Sequence, residues 1–167
     1  MEALDQIMEA LFIPYRERVP DVGKIVNAMQ TKGMIAQESE IENDHVAFRT
    51  LGLPHLGLAS FEKIFLHYGY TKMEPYFFAK KKLDAYWYAP PHPKYPRIFI
   101  SELRVKDLSE VSQQIIKKFT QSISSDPVDA LDLDNATQVG EFFHRPLWNL
   151  PTAKEYESLG SESEYAA

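Results

Sequence analysis

Two side chains able to do chemistry lie close together in Asn43-Asp44-His45-Val46-Ala47-Phe48-Arg49-Thr50-Leu51. A neutral imidazole ligates divalent metals, and a guanidinium holds a carboxylate through a planar fork of N–H donors. The stretch from Asp44 to Leu51 alternates, which predicts a strand. On such a strand His45, Ala47, Arg49 and Leu51 share one face, and Val46, Phe48 and Thr50 share the other. The second face reads as core. The first places a histidine and an arginine on either side of a small residue, roughly 13 Å apart at strand rise. The residues alone leave two readings for each. His45 is a metal ligand or a satisfied, half-buried strand histidine. Arg49 is a carboxylate anchor or a surface arginine paired with a nearby acid.

The rest of the composition narrows the chemistry. The 167 residues are 44% hydrophobic and 13% aromatic, with 10 Phe and 9 Tyr, enough for one packed domain and unlike a disordered chain. The net charge of −6 argues against a broad nucleic-acid surface, and Lys80-Lys81-Lys82, the densest basic run, reads as a solvated turn. Without cysteine there are no disulfides, thiolate metal sites or cysteine nucleophiles. Any metal must then be held by His, Asp, Glu or water, which suits iron, manganese or zinc. His55, His67, His92 and His144 show no i, i+4 pairing, and no glycine-rich phosphate loop or Gly-x-Ser-x-Gly elbow is present. No apolar run approaches the roughly 20 residues of a membrane span. The acidic start Met1-Glu2-Ala3-Leu4-Asp5 is unlike a signal peptide. The expectation is a soluble, cytoplasmic protein with no membrane or nucleic-acid partner.

The elements that must position His45 and Arg49 follow from the hydrophobic period. Leu4, Ile7, Met8 and Leu11 mark a helix that Pro14 is expected to stop. A second helix is predicted over 21–32, capped by Asp21 and ended at Gly33. After the strand at 44–51, the residues Leu58, Phe61, Ile64, Phe65 and Tyr68 make a helical stripe that ends at Gly69. Three strands are predicted over 71–78, 83–88 and 97–103. A helix over 109–121, a polar loop over 122–129 and a helix near 136–143 come next. Thr152-Ala153-Lys154-Glu155 has the form of a capping box opening a last helix. That helical pattern is expected to run to Tyr165-Ala166-Ala167 with no stop. The reading is one α+β domain over 1–167, with a helical lead-in over 1–40, a βαβββ unit over 44–103 and a mainly helical remainder over 105–167.

A βαβββ unit of this length is the building block of the vicinal-oxygen-chelate architecture, in which two units curve into one cup around a metal. The pattern fits equally a generic α+β sandwich with helices over one face of an antiparallel sheet. As a half-barrel it needs a second half-barrel, in cis or in trans.

The segment Asn43–Leu51 resembles the hallmark segment of the 2-oxoadipate dioxygenase/decarboxylase family, also called 2-hydroxyglutarate synthases. Leu66-His67-Tyr68-Gly69-Tyr70, Phe78-Ala79-Lys80-Lys81-Lys82-Leu83, Arg97-Ile98-Phe99-Ile100-Ser101-Glu102-Leu103, Arg145-Pro146-Leu147-Trp148 and Glu162-Ser163-Glu164-Tyr165-Ala166-Ala167 resemble the same family in the same order. The resemblance implies a vicinal-oxygen-chelate-like fold. It also implies a mononuclear iron(II) enzyme that takes 2-oxoadipate and dioxygen to 2-hydroxyglutarate and carbon dioxide late in lysine breakdown. Two histidines and one glutamate hold the iron in the family. His45 matches the first histidine, and Arg49 matches the arginine that contacts the substrate. A six-carbon diacid chelated at one end needs a cation some distance away, which suits the His45–Arg49 spacing. Nothing in this chain matches the other two ligands, so the expectation is the N-terminal part of a longer enzyme. Glu102, at the end of the last strand, is expected to be structural or to support a ligand. Two other functions stay open: a non-catalytic half-barrel that binds a small acid or a partner chain, and another activity of the same fold using a different metal, such as a lyase or isomerase.

Overall fold

A computed structural model describes residues 3–166. Met1, Glu2 and Ala167, on which the readings of the two ends partly fall, lie outside the described residues. The chain divides into two compact units. One comprises residues up to Asp44 with Leu131–Arg145, and the other comprises His45–Ala130 with Pro146–Ala167.

The first unit is helical: α1 (Ala3–Arg18), α2 (Pro20–Thr31) and α5 (Ala136–His144). Leu4, Ile7, Met8 and Leu11 are its buried stripe on α1. Pro14 does not stop α1, which continues to Arg18. A proline inside a helix removes one N–H and orphans the carbonyl four residues earlier. Here that carbonyl is Ala10, and His144 Nε2 on α5 lies 3.0 Å from its oxygen. A donor from a neighbouring helix therefore replaces the missing one. The two helices approach closely at this level, because a Cβ on Gly140 would fall 2.6 Å from that of Ala10. The start of α2 also differs from expectation. Val19 is the N-cap and Pro20 the first helical residue, where the absent N–H costs nothing. Asp21 lies in the first turn and pairs with Lys24 at 2.7 Å.

The second unit is built on a four-stranded sheet of β1 (His45–Leu51), β2 (Thr71–Phe78), β3 (Leu83–Ala89) and β4 (Arg97–Leu103), in the order β1-β4-β3-β2. β1 runs parallel to β4, with His45 opposite Arg97 and Arg49 opposite Ser101. β4, β3 and β2 are antiparallel neighbours. A parallel pair needs a crossover, and α3 (Leu58–His67) lies within it. This is the βαβββ unit, and the fold is α+β of the vicinal-oxygen-chelate type. β1 is an edge strand, clipped to β4 by Thr50 Oγ1 donating to the Ser101 carbonyl at 3.2 Å and by Ser101 Oγ donating to the Phe48 carbonyl at 3.3 Å.

One face of the sheet is covered by α3. Phe48 lies 4.9 Å from Phe61 and 5.4 Å from Phe65, measured between ring centroids. Ile64, Phe65, Ile98 and Ile100 are fully buried there. Glu102 belongs to this side. Its carboxylate accepts from the Leu58 N–H at 2.7 Å, which puts negative charge at the N-terminus of α3. Gly57 just before it has φ +84°, and any Cβ there would run into the same carboxylate. Glu102 is thus a helix anchor and does not face the cup.

The other face is closed at one end only. Leu51, Leu83 and Leu103 pack there against Ile116 and Phe119 of α4 (Glu110–Thr120) and Leu159 of α6 (Ala153–Glu162). Glu162 fastens this end. Its carboxylate accepts from the Ser109 N–H at 2.8 Å, Ser109 Oγ at 2.7 Å and Ser112 Oγ at 2.6 Å, and it pairs with Lys82 at 3.1 Å. The hydroxyls of Ser109 and Ser112 hold its carboxyl down at about 2. The capping box forms as the sequence indicates, with Thr152 and Glu155 bonding reciprocally. α6 ends at Glu162, however, and residues 163–166 turn away from the helix line.

Candidate functional site

The strand that carries the two chemical side chains is half embedded. Val46, Phe48 and Thr50 alternate, partly buried, with exposed His45, Ala47 and Arg49. Burial closes over the strand only at Leu51. His45 and Arg49 therefore stand on the open part of the sheet, on the face opposite α3. The period of two dictates this: three apolar or small side chains need α3, so the histidine and arginine must point the other way.

Register extends that face across the sheet. Arg97 and Phe99 of β4 and Trp87 of β3 follow from the pairing. Tyr76 and Phe78 of β2 join them, with their rings 5.6 Å and 6.5 Å from that of Phe99. Trp87 Nε1 donates to Glu74 at 2.6 Å, which fixes the indole edge. Between its charged rim and its aromatic floor lie small residues: Ala47, and the buried Ala85 and Ser101.

Among the described residues no acid forms an ion pair with Arg49. Its guanidinium carbon lies 4.6 Å over the centroid of the Tyr165 ring. A contact of this kind is electrostatic, between the cation and the ring face, and is not an ion pair with an acid. Arg49 and Tyr165 line a cleft of about 320 Å³ with Thr50, Leu51, Trp148 and Tyr156. Lys81, in the β2–β3 turn, approaches the same ring, with Nζ 5.3 Å from its centroid. The run Lys80–Lys82 is a turn as expected, yet it is more than a solvated one: Lys82 holds Glu162 and Lys81 faces Tyr165.

The structure thus keeps His45 and Arg49 on one face and adds Tyr165 and Lys81, which periodicity could not reveal. Among the described residues no three His, Asp or Glu side chains converge as a metal-holding set. His45 fits a metal as a single imidazole donor. The remaining histidines stand elsewhere. His55 is in an exposed loop with φ +67°, and His67 packs edge-on against Tyr68. His92 Nδ1 accepts from the Lys94 N–H at 3.2 Å, and His144 serves Ala10. Among the described residues no helix is long and apolar enough to cross a membrane.

The family model for 2-oxoadipate dioxygenase/decarboxylase matches residues 7–167. A chloroplastic protein of that name from Arabidopsis thaliana is 39% identical over 135 residues, covering 74% of this chain and 34% of its relative. A chloroplastic/amyloplastic one from Oryza sativa subsp. japonica is 37% identical over 134 residues, 74% of this chain and 35% of the relative. The chain therefore spans about a third of the length of these curated relatives.

Among solved structures, hydroxyglutarate synthase from Oryza sativa in complex with 2-oxoadipate superposes with a TM-score of 0.76 at 29% identity. That match covers 96% of this chain and 51% of the other. A putative hydrolase from Shewanella frigidimarina gives 0.74 at 32% identity, covering 97% and 58%. A putative glyoxalase superfamily protein from Ralstonia eutropha gives 0.73 at 20% identity, covering 95% and 55%, and speaks to the fold alone.

Proposed function

The chain belongs to the 2-oxoadipate dioxygenase/decarboxylase family, and from that premise we propose that it carries part of the active site of an iron(II) dioxygenase. The overall reaction converts 2-oxoadipate and dioxygen to 2-hydroxyglutarate and carbon dioxide, as a step of lysine breakdown in the cytoplasm. The observation that supports this best is the exposed face of β1, where His45 and Arg49 stand together on the open side of the half-barrel.

Each residue then has a task. His45 holds the iron through one imidazole nitrogen. When bound, the iron supplies the electron transfer to dioxygen that no side chain can perform. Arg49 takes the far carboxylate of the diacid on its in-plane N–H groups and so fixes the distance between that carboxylate and the metal. Tyr165 backs the guanidinium with its ring and limits its movement. Phe99, Trp87 and Tyr76 shield one side of the acyl chain from water. A second half-barrel, in cis or in trans, supplies the other ligands and closes the cup. Oxygen uptake on 2-oxoadipate and iron(II), measured with a complete barrel that contains this chain, is the test. His45→Ala is expected to abolish turnover. Full turnover by that variant would remove the metal assignment.

A second reading is a non-catalytic half-barrel that binds a small acid or a partner. It is favoured by the lack of a converging ligand set among the described residues. Iron titration of the 167-residue chain separates the two. Tight stoichiometric binding would count against this reading and point to a second copy completing the site in trans.

A further inference from the structure

Several cations of the second unit are matched to acids. Lys63 pairs with Asp126 and Asp129, Lys72 with Glu62, Lys82 with Glu162, Lys118 with Glu155, and Arg104 with Asp84 and Asp107. Arg49 and Lys81 share a different neighbour, the ring of Tyr165. Among the described residues no carboxylate forms an ion pair with either, although acids outnumber bases by 24 to 18 in the chain. Both are held at the Tyr165 ring instead, Arg49 at 4.6 Å and Lys81 at 5.3 Å from its centroid. Their charges lie within about 10 Å of each other, no more than the screening length of 0.1 M salt, so their fields add. Two like charges held this close without an acid repel one another, and an anion between them relieves that repulsion.

We infer that Lys81 is a second cation of the Arg49 site, and that the two, arranged around Tyr165, seat one carboxylate of a small diacid. The inference rests on the reading of Arg49 given above and adds a specificity residue to it. The donors fit. A guanidinium has five N–H donors, more than contact with one ring can occupy. The Lys81 ammonium has three N–H donors, and its interaction with the Tyr165 hydroxyl favours its charged form. Glu164 adds only a weaker, longer-range attraction to Lys81. The adjoining cleft, about 320 Å³ and lined by Arg49, Leu51, Trp148 and Tyr165, has room for a short acyl chain.

The test is calorimetric titration of the 167-residue chain with glutarate, a five-carbon diacid that needs no metal, with its neutral diamide as control. Glutarate is expected to bind and the diamide not to bind. Lys81→Met is expected to weaken glutarate about tenfold and to flatten the salt dependence, the scale of one charge-assisted hydrogen bond. Lys81→Arg is expected to restore affinity to within about twofold, since it restores the charge. Tyr165→Phe, which keeps the ring, is expected to retain binding. If Lys81→Met binds glutarate like the wild type while Arg49→Met does not bind it, Lys81 has no part in the site and the Arg49 reading stands. If neither substitution changes binding, or the unaltered chain ignores glutarate, the two-cation seat and the diacid role of Arg49 both fall.

Discussion

A strand side chain is assigned to one face by parity, and parity is visible in a sequence. His45 and Arg49 were legible for that reason: three apolar or small neighbours at alternate positions forced them to the opposite side. What parity cannot give is the partner. Arg49 stacks on Tyr165 and not on an acid, and Tyr165 is remote in sequence, so no local pattern connects them. Glu102 shows the same limit in reverse. Its place at the end of β4 allowed a supporting role at the metal, whereas its carboxylate holds the first N–H of α3. The assignment can be checked. Glu102→Ala is expected to lower stability by about 1–2 kcal/mol, because a charge-assisted bond at a helix N-terminus is lost. Glu102→Gln should cost less. Urea unfolding measures both. Iron affinity of the complete site should be unchanged in Glu102→Gln, and a loss there would return Glu102 to the metal.

At the scale of elements, the alternation and helical stripes placed every strand and four of the six helices within a residue or two, and the failures at α1 and α6 have physical causes. Pro14 was expected to end α1, because proline inside a helix usually costs about 3 kcal/mol or more. The helix survives because the Ala10 carbonyl finds His144 on α5, and because Gly140 lets the two backbones approach. The sequence does carry the sign: a proline within a continuing apolar stripe implies an orphan carbonyl that needs a donor from elsewhere. A double-mutant cycle tests the account. His144→Phe alone is expected to cost about 1 kcal/mol. Pro14→Ala supplies the missing N–H, so in that background His144→Phe should cost much less. Additive effects in thermal or urea unfolding would show that His144 does not replace the proline's donor. The last helix failed differently. The pattern suggested that it continued to the end, but α6 stops at Glu162 and the next residues turn, which brings Tyr165 to Arg49. Glu162, the last residue of α6, is bonded to Ser109, Ser112 and Lys82, all remote in sequence, and these contacts hold the end of the helix in place.

At the scale of the second unit, Glu162 couples three things the sequence lists separately: the N-terminus of α4, the β2–β3 turn and the segment that carries Tyr165. Its carboxyl is held at about 2 in the folded chain, chiefly by the hydroxyls of Ser109 and Ser112, against an ordinary value of 4.5. A group whose folded value is depressed stabilises above its unfolded value. That contribution is complete above about pH 5 and is lost as the pH falls from 4.5 toward 2. Because the side chain keeps some exposure, a contribution of about 1–2 kcal/mol is expected. Protonation should therefore weaken the hold of α6 and loosen Tyr165 and Trp148 before the sheet itself opens. Trp148 reports on this, since its ring lies 6.1 Å from that of Phe119 in the same region. Acid titration of the folded chain should shift tryptophan emission between pH 4.5 and 2. Glu162→Gln should show the loosened state already at pH 7 and a flatter stability profile below pH 5. A Glu162→Gln chain that keeps the wild-type pH profile and wild-type glutarate affinity would show that the carboxylate does not link the C-terminal segment to the Arg49 site.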